Sequence, residues 1–527
     1  MLVRKNVYAL GSDWADPILW YARAVALMKK RPLDDPTSWR FYGGIHGFNA
    51  QLWKQLGLLS DNDKLPDAKT RTLFWDQCQH QTWYFLPWHR GYLWAFETVV
   101  RDAVVSLGGP ADWTLPYWNY FAKGQSALPP AFASRNWTGG DGDNPLFVPQ
   151  RYGPAGDGKV FIPLDQVNLL ALNDREFTGE AGGGSPGFGG VDTGFSHGGS
   201  VNGGVESQPH NIVHVLIGGV LRGTRQPGLM SVPSTAGLDP IFWLHHANID
   251  RLWQVWRGRA PGHVDPTVAN WVDGPADRSF VMPLPGKRNW TFAPGQTEST
   301  VELGYEYDDV SGGEVLMAAL HPALRAQAAT AGVAQANASQ ASPLQASLPQ
   351  GSPAMTSGKN VELVGASQSA IKVVGQSAQA AVTLAPDARQ RVSANLAASA
   401  PGTVSAQNAA AAPPERVLLN LENVRGLLDG VAFQVYVGPQ GSDPSGKSEA
   451  LAGSVGLFGV SQATERDGPH GGSGLTFVLD ITPIVEALHA SRDLDADKLD
   501  VRIVPLQPVP AEAQISIGRV SVFRQGR

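Results

Sequence analysis

Residues 209–219 read PHNIVHVLIGG and residues 239–251 read DPIFWLHHANIDR, so His210, His214, His245 and His246 crowd one short span of a 527-residue chain with twelve histidines. Such crowding of imidazoles points to a metal site. If the first stretch is helical, His210 and His214 stand four residues apart and their rings leave one face, with Cβ atoms about 5–6 Å apart. The second stretch has the grammar of a helix start. Asp239 caps, Pro240 fits the first helical position, and Ile241, Phe242, Leu244, Ile249, Leu252 and Val255 lie along an inner side. His246 then projects from a rigid rod.

Towards the amino terminus, three histidines precede His197: His46 in GGIHGFN, His80 in DQCQHQ and His89 in FLPWHRGYL. Pro87 predicts the start of a helix running to about residue 106, with His89 in its first turn. On one continuous helix the nine-residue separation would turn His80 to the side opposite His89, so His80 is expected on a preceding loop or a separate helix. An all-imidazole ligand set suits copper, zinc, iron or nickel, so ligand type alone leaves the metal open.

The words around these histidines narrow the choice. FLPWHR followed by GYL, then HNxxH, then DPIFWLHHANIDRLW, resemble the two copper-binding signatures of the tyrosinase, catechol oxidase and molluscan haemocyanin superfamily, over about residues 1–310. The resemblance implies two copper ions with dioxygen as co-substrate, the first copper held by His46, His80 and His89 and the second by His210, His214 and His246. His245 becomes a neighbour that packs or hydrogen-bonds beside the metal, and Asp250 and Arg251 become groups that support the site and pair its helices. Cys78, the sole cysteine, lies in a Cys-Gln-His unit that resembles the Cys-x-His of fungal tyrosinases and molluscan haemocyanins. There the sulfur is joined to the ligand ring by a thioether, which would lock the orientation of His80; the bland reading is a buried free thiol.

Glu206 and Asn211, in ESQPHN, resemble the glutamate and asparagine that hold a proton-accepting water beside the second copper. Hydroxylation of a monophenol needs such an acceptor, because the phenol must lose its proton before it reaches the metal. Met230, Val232 and Pro233, in MSVPSTAG, fall where relatives place a gate residue, and with no bulky aromatic there a fairly open mouth is expected. Tyr305 and Tyr307 in LGYEYDD resemble the tyrosine motif that closes the catalytic domain, with Arg4 stacking on it.

Length and composition divide the chain. A chain of 527 residues exceeds what one core usually holds. All sixteen tryptophans lie at or before Trp290, and the remainder is rich in Ala, Ser, Gln and Val. The expected fold is a mainly α catalytic domain over residues 1–318, with a central four-helix bundle around the copper pair, an Ala/Gln/Ser/Pro-rich linker over 319–357, and an all-β, jelly-roll-like sandwich over 358–527. Helices are expected from Asp16 to Pro32 and around residues 46–57 as well as at 87, 210 and 239. The Gly-rich excursion between about 124 and 205 is expected to run over the surface, with His197 as a solvated loop residue. VELVG, AIKVVG, AAVTLA, RVLLNLENV, AFQVYVG, GLTFVLDI, LDVRIVPL and AQISIGRVSVF read as strands, with a polar insertion near 395–414. The tail weakly resembles the carboxy-terminal domain that covers the active site in plant polyphenol oxidases and haemocyanin units, with Leu457 or Phe458 as the plug. Its alternative is an oligomerisation or stability module.

A net charge of −6 without a basic run argues against nucleic-acid binding, and no stretch reaches the apolar length of a membrane span. The opening MLVRKNVYALGSDW lacks a signal peptide, so cytoplasmic residence is expected. The expected activity is that of a tyrosinase turning monophenols such as tyrosine into diphenols such as DOPA and then into quinones. A homo-oligomer and a copper chaperone are further partners compatible with that activity. A catechol oxidase confined to the second step, a haemocyanin-like dioxygen carrier and a mononuclear zinc hydrolase are the competing readings.

Overall fold

The computed structural model describes residues 1–140, 142–195, 199–259, 261–312, 361–399, 415–468, 471–491 and 497–526. His197, the linker over 319–357 and most of the 395–414 insertion lie outside the described residues.

Among the described residues, five of the first domain's helices frame its core and site. Helix α1 (Asp16–Lys30) opens with Pro17 in its first turn and closes with Lys29 and Lys30, where cations meet the negative end of the helix dipole. Helix α2 (Trp39–His46) is capped by the Ser38 side chain, which accepts from the Phe41 amide. The helix expected around 46–57 is therefore displaced: α2 ends at His46, Gly47–Asn49 is extended, and a separate short helix runs over Ala50–Gln55. Helix α3 (Phe85–Ser106) begins two residues before Pro87, and α4 (Ile212–Gly218) follows an irregular turn over Glu206–Asn211. Helix α5 (Pro240–Arg257) starts as its sequence indicates, with Asp239 accepting from the Ile241 amide. Phe96 of α3 stacks flat on Trp243 of α5, within a core that takes in most of the buried tryptophans.

Strand β1 (Leu2–Arg4) comes first, β2 (Phe280–Leu284) and β3 (Arg288–Phe292) form a hairpin, and β4 (Tyr305–Tyr307) pairs in parallel with β1 to close the domain. At this closure Arg4 lies over the Tyr305 ring, 3.8 Å from its centroid, and bonds Glu97 at 2.8 Å. Asp250 of α5 gathers Arg4, Arg90 and the hydroxyls of Tyr305 and Tyr307 into one buried network. Burial alone would raise the Asp250 carboxyl, but Arg90 and Arg4 outweigh it and hold it below the usual range. Asp250 thus joins α5 to α3 and to both ends of the domain.

The expected sandwich takes the form of one antiparallel sheet that curls on itself. Its nine strands are β5 (Val361–Ala366), β6 (Ile371–Lys372), β7 (Ala378–Leu384), β8 (Arg416–Arg425), β9 (Ala432–Pro439), β10 (Leu451–Gly456), β11 (Leu475–Asp480), β12 (Lys498–Pro505) and β13 (Ser516–Gln525). Their order is β10-β9-β12-β7-β5-β13-β8-β11, with β6 beside β13, and the end strands β10 and β11 come into contact. Helices α6 (Pro386–Ser399) and α7 (Thr482–Ala490) flank the sheet. Strand β10 escaped the sequence reading because LAGSVG lacks the β-branched and aromatic density that marks the other strands.

Both border strands of this sheet face the first domain. Thr476 of β11 bridges in parallel to Val201, donating to the Ser200 carbonyl at 2.8 Å and accepting from the Asn202 amide at 3.3 Å. Gly456 of β10 lies so close to the Glu206–Ile212 segment that a Cβ on it would stand 2.8 Å from Ile212 Cα. An open edge invites foreign pairing, and here the neighbouring domain covers it.

The Gly-rich stretch is correspondingly not a surface excursion over its full length. Residues 185–191 and 201–205 are almost wholly buried, and Phe188 stacks on Trp256. A Cβ on Gly203 would come within 2.9 Å of the Gly189 backbone. Glycines here permit backbone to pack on backbone, which composition alone reads as looseness. Among the described residues no helix is long and apolar enough to cross a membrane.

Candidate metal centre

Four helices deliver one histidine each to the middle of the first domain: His46 ends α2, His89 lies near the start of α3, His214 is on α4 and His246 on α5. His80 comes from the loop before α3, and His210 from the irregular turn before α4. The ligand atoms of His46, Cys78, His80 and His89 lie within 4.8 Å of one another, as do those of His210, His214, His245 and His246. The two groups share one space, for His89 stacks on His246 with ring centroids 4.6 Å apart, and His80 is 5.6 Å from His210.

Most of the rings are oriented by a fixed acceptor on Nδ1. His46 meets the Pro233 carbonyl at 2.7 Å, His89 the Phe85 carbonyl at 2.7 Å, His214 the Met230 carbonyl at 2.8 Å, and His210 the Asn211 Oδ1 at 2.9 Å. An acceptor demands an N–H, so each of these neutral rings carries its proton on Nδ1 and turns the Nε2 lone pair inward. His46 Nε2 is buried with no partner. His246 Nε2 lies 3.3 Å from His210 Nε2 and 3.1 Å from His214 Nε2. His246 Nδ1 is buried without a partner, and a cation between the three Nε2 atoms would engage all three lone pairs, so the donor set fits a bound metal.

Burial keeps the imidazoles neutral, as ligands must be. Desolvation takes His46 down to about 4, and holds His89, His210, His214 and His246 well below the usual histidine range, with the neighbouring rings adding to the effect.

His245 is also buried, its Nδ1 3.3 Å from the Tyr120 hydroxyl and its Nε2 without a partner. The Cys78 sulfur lies 3.5 Å from His80 Nδ1, 3.6 Å from His80 Nε2 and 3.4 Å from His89 Nε2. Glu206 is buried, its carboxylate accepting from the Gln81 amide at 2.9 and 3.1 Å and from the Gly203 amide at 3.3 Å. Burial pushes its carboxyl up to about 8 against those two hydrogen bonds. Glu206 therefore ties the residue after His80 to the turn that carries His210.

The stretch MSVPSTAG, with Val232 and Pro233, carries no aromatic, but Phe458 of the second domain packs against the histidines. The Phe458 ring stacks on His214 at 4.1 Å between centroids and meets His80 at 5.4 Å, His210 at 5.7 Å and His46 at 6.5 Å. Leu457 instead belongs to the core of the second domain. Ser454 of β10 accepts from Gln208 Nε2 at 2.6 Å and donates to Gln166 at 2.9 Å, and Arg416 pairs with Asp174 across the seam. The carbonyls of Phe85, Met230 and Pro233 could not be found from the sequence, because every residue has a carbonyl and only the folded path aims it.

Residues 36–169 and 186–259 match the common central domain of tyrosinase, and residues 360–525 match a domain family of unknown function. The chain is 34% identical to a tyrosinase of Hahella sp. (strain CCB-MM4), covering 100% of both chains. It is 26% identical to the chloroplastic polyphenol oxidase II of Ipomoea batatas over 58% of this chain and 50% of that one. Latent apple tyrosinase superposes over 99% of this chain and 97% of its own with a TM-score of 0.56 at 21% identity.

Proposed function

Since this chain belongs to the tyrosinase family, whose members act on small phenols, we propose that it hydroxylates monophenols at the ortho position and oxidises the resulting diphenols to quinones. The two histidine clusters suit a pair of copper ions that use dioxygen. In this reading His46, His80 and His89 hold one ion and His210, His214 and His246 the other. A bound pair would activate dioxygen, which supplies the oxidising equivalents and the inserted oxygen atom; the residues around it position the phenol and move its proton. The Cys78 sulfur, against the His80 ring, supports a thioether, whose mark is a peptide spanning both residues lighter by two hydrogen atoms.

The observation that favours hydroxylation is the seat of Glu206 and Asn211. Asn211 orients His210, and Glu206 is a buried carboxyl between the two half-sites, held by the backbone amides of Gln81 and Gly203, where burial raises its affinity for a proton. Glu206→Gln is expected to lower tyrosine hydroxylation by about a hundredfold and catechol oxidation by less than about tenfold, the usual scale for a positioned proton acceptor. Both rates are measured on protein freed of its shield. Equal losses would reduce the activity to diphenol oxidation.

In the same reading the second domain keeps the enzyme latent, with Phe458 occupying the place of the substrate ring. The turn after Phe458 is fastened by Asp429, whose carboxylate accepts from the Ser461 amide at 3.1 Å and from the Ser461 hydroxyl. Burial pushes the Asp429 carboxyl up to about 6, against the hydrogen bonds from Ser461 and the amides of Val460 and Gly459. A carboxyl raised by folding holds its proton more tightly when folded. Its contribution to stability is therefore complete below the unfolded carboxylate range and is lost as pH climbs through about 6. Calorimetry should show the second domain melting lower at pH 7 than at pH 5, and Asp429→Asn should flatten that slope, an effect of at most about 1.4 kcal/mol between those two pH values. An unchanged slope in the variant would remove Asp429 from this role.

A further inference from the structure

We propose that Asn202 is a positioning residue that ties both halves of the metal centre to the docked second domain, an inference that rests on His80 and His210 being copper ligands. Asn202 is 1% exposed, and its side-chain hydrogen bonds run in one consistent sense. Its Oδ1 accepts from Gln81 Nε2 at 3.2 Å and from Asn211 Nδ2 at 3.1 Å. Its Nδ2 donates to the Thr476 carbonyl of β11 at 3.3 Å. Turning the carboxamide over would set two donors against its nitrogen and a carbonyl against its oxygen, so a single orientation survives.

What the two donors do next gives Asn202 its reach. Asn211, fixed through its nitrogen, presents Oδ1 to His210 Nδ1 and so sets the ring plane of a second-copper ligand. Gln81 follows His80 directly, and its backbone amide holds Glu206. One oxygen thus restrains the carboxamide that aims His210 and the residue that joins His80 to Glu206. The Thr476 carbonyl, which also accepts the Asn202 backbone amide, holds that oxygen in place only while β11 is docked. Docking and metal retention are then coupled, and the coupling acts in both directions.

The test uses the full-length, copper-loaded chain, reading copper per chain and the rate of copper loss to EDTA. Asn202→Ala is expected to lose one of its two coppers about tenfold faster than the parent, the range for partners that orient a ligand. Adding Asn211→Ala to it should speed the loss by less than about twofold further, because both changes act through His210. Asn202→Asp keeps an oxygen facing Gln81 and Asn211 but gives up the donor to the Thr476 carbonyl, so it should lose copper like the parent without its second domain, more slowly than Asn202→Ala. Proteolytic removal of the second domain should hasten copper loss in the parent and leave the rate in Asn202→Ala unchanged. The proposal is overturned if Asn202→Ala retains copper like the parent, or if removing the second domain hastens copper loss in Asn202→Asp as much as in the parent. Should the alanine variant misfold, the Asn202→Asp chain decides alone, by whether removal of the second domain still hastens its copper loss. A parent chain that binds no copper pair would instead overturn the assignment of the metal centre itself.

Discussion

Phe458→Ala is expected to make the uncut chain an active catechol oxidase. The Phe458 ring touches His46, His80, His210 and His214, so no phenol can approach the copper pair without displacing it. Truncation leaves a space about the size of the substrate ring, and catechol oxidation by intact protein should rise by at least about a hundredfold, towards the rate of trypsin-treated parent, a gain of about 2.7 kcal/mol in access. The same change removes a buried aromatic side chain and should lower stability by about 3–5 kcal/mol. Leu457→Ala is the control: it hollows the second domain's own core and should cost about 2–5 kcal/mol without opening the site. If intact Phe458→Ala protein stays as silent as the parent while trypsin activates both, the block lies in the domain as a whole.

His246→Ala should abolish turnover. His246 Nε2 is the meeting point of the second cluster, 3.3 Å from His210 Nε2 and 3.1 Å from His214 Nε2. Its loss leaves two imidazoles, too few to retain an ion against solvent. One copper per chain should be missing by elemental analysis, and catechol oxidation in shield-free protein should fall by at least about a thousandfold. His245→Ala is the informative contrast, because His245 stands beside the same cluster but turns its Nδ1 to Tyr120. It should retain both coppers and lose less than about tenfold in rate. The reverse pattern would exchange the two residues' roles.

Much of this centre was legible from spacing. The i, i+4 pair His210 and His214, the Asp239–Pro240 start before His246, and the FLPWHR word before His89 all locate side chains relative to a local helix, and local geometry is what sequence encodes best. The helix expected around 46–57 was misplaced because Gly47 and Asn49 interrupt it, Asn49 starting a new helix by accepting from the Leu52 amide. The carbonyls that orient His46, His89 and His214 have no residue signature. Asn202 reads as one polar residue in a glycine-rich run, and its significance depends on Gln81, Asn211 and Thr476, which only the assembled chain brings together. Strand β10 lacked a compositional mark, although it carries Ser454 and leads directly to Phe458.

The curled sheet keeps its two border strands against the catalytic domain instead of bonding them fully to each other. Once severed and shed, the fragment would present unsatisfied amides along β10 and β11 together with the bare Phe458 ring. Such a surface adheres to its own kind. Self-association would remove the freed piece from solution and leave nothing to rebind, so switching the enzyme on would be irreversible in practice even where the docking equilibrium alone would permit return.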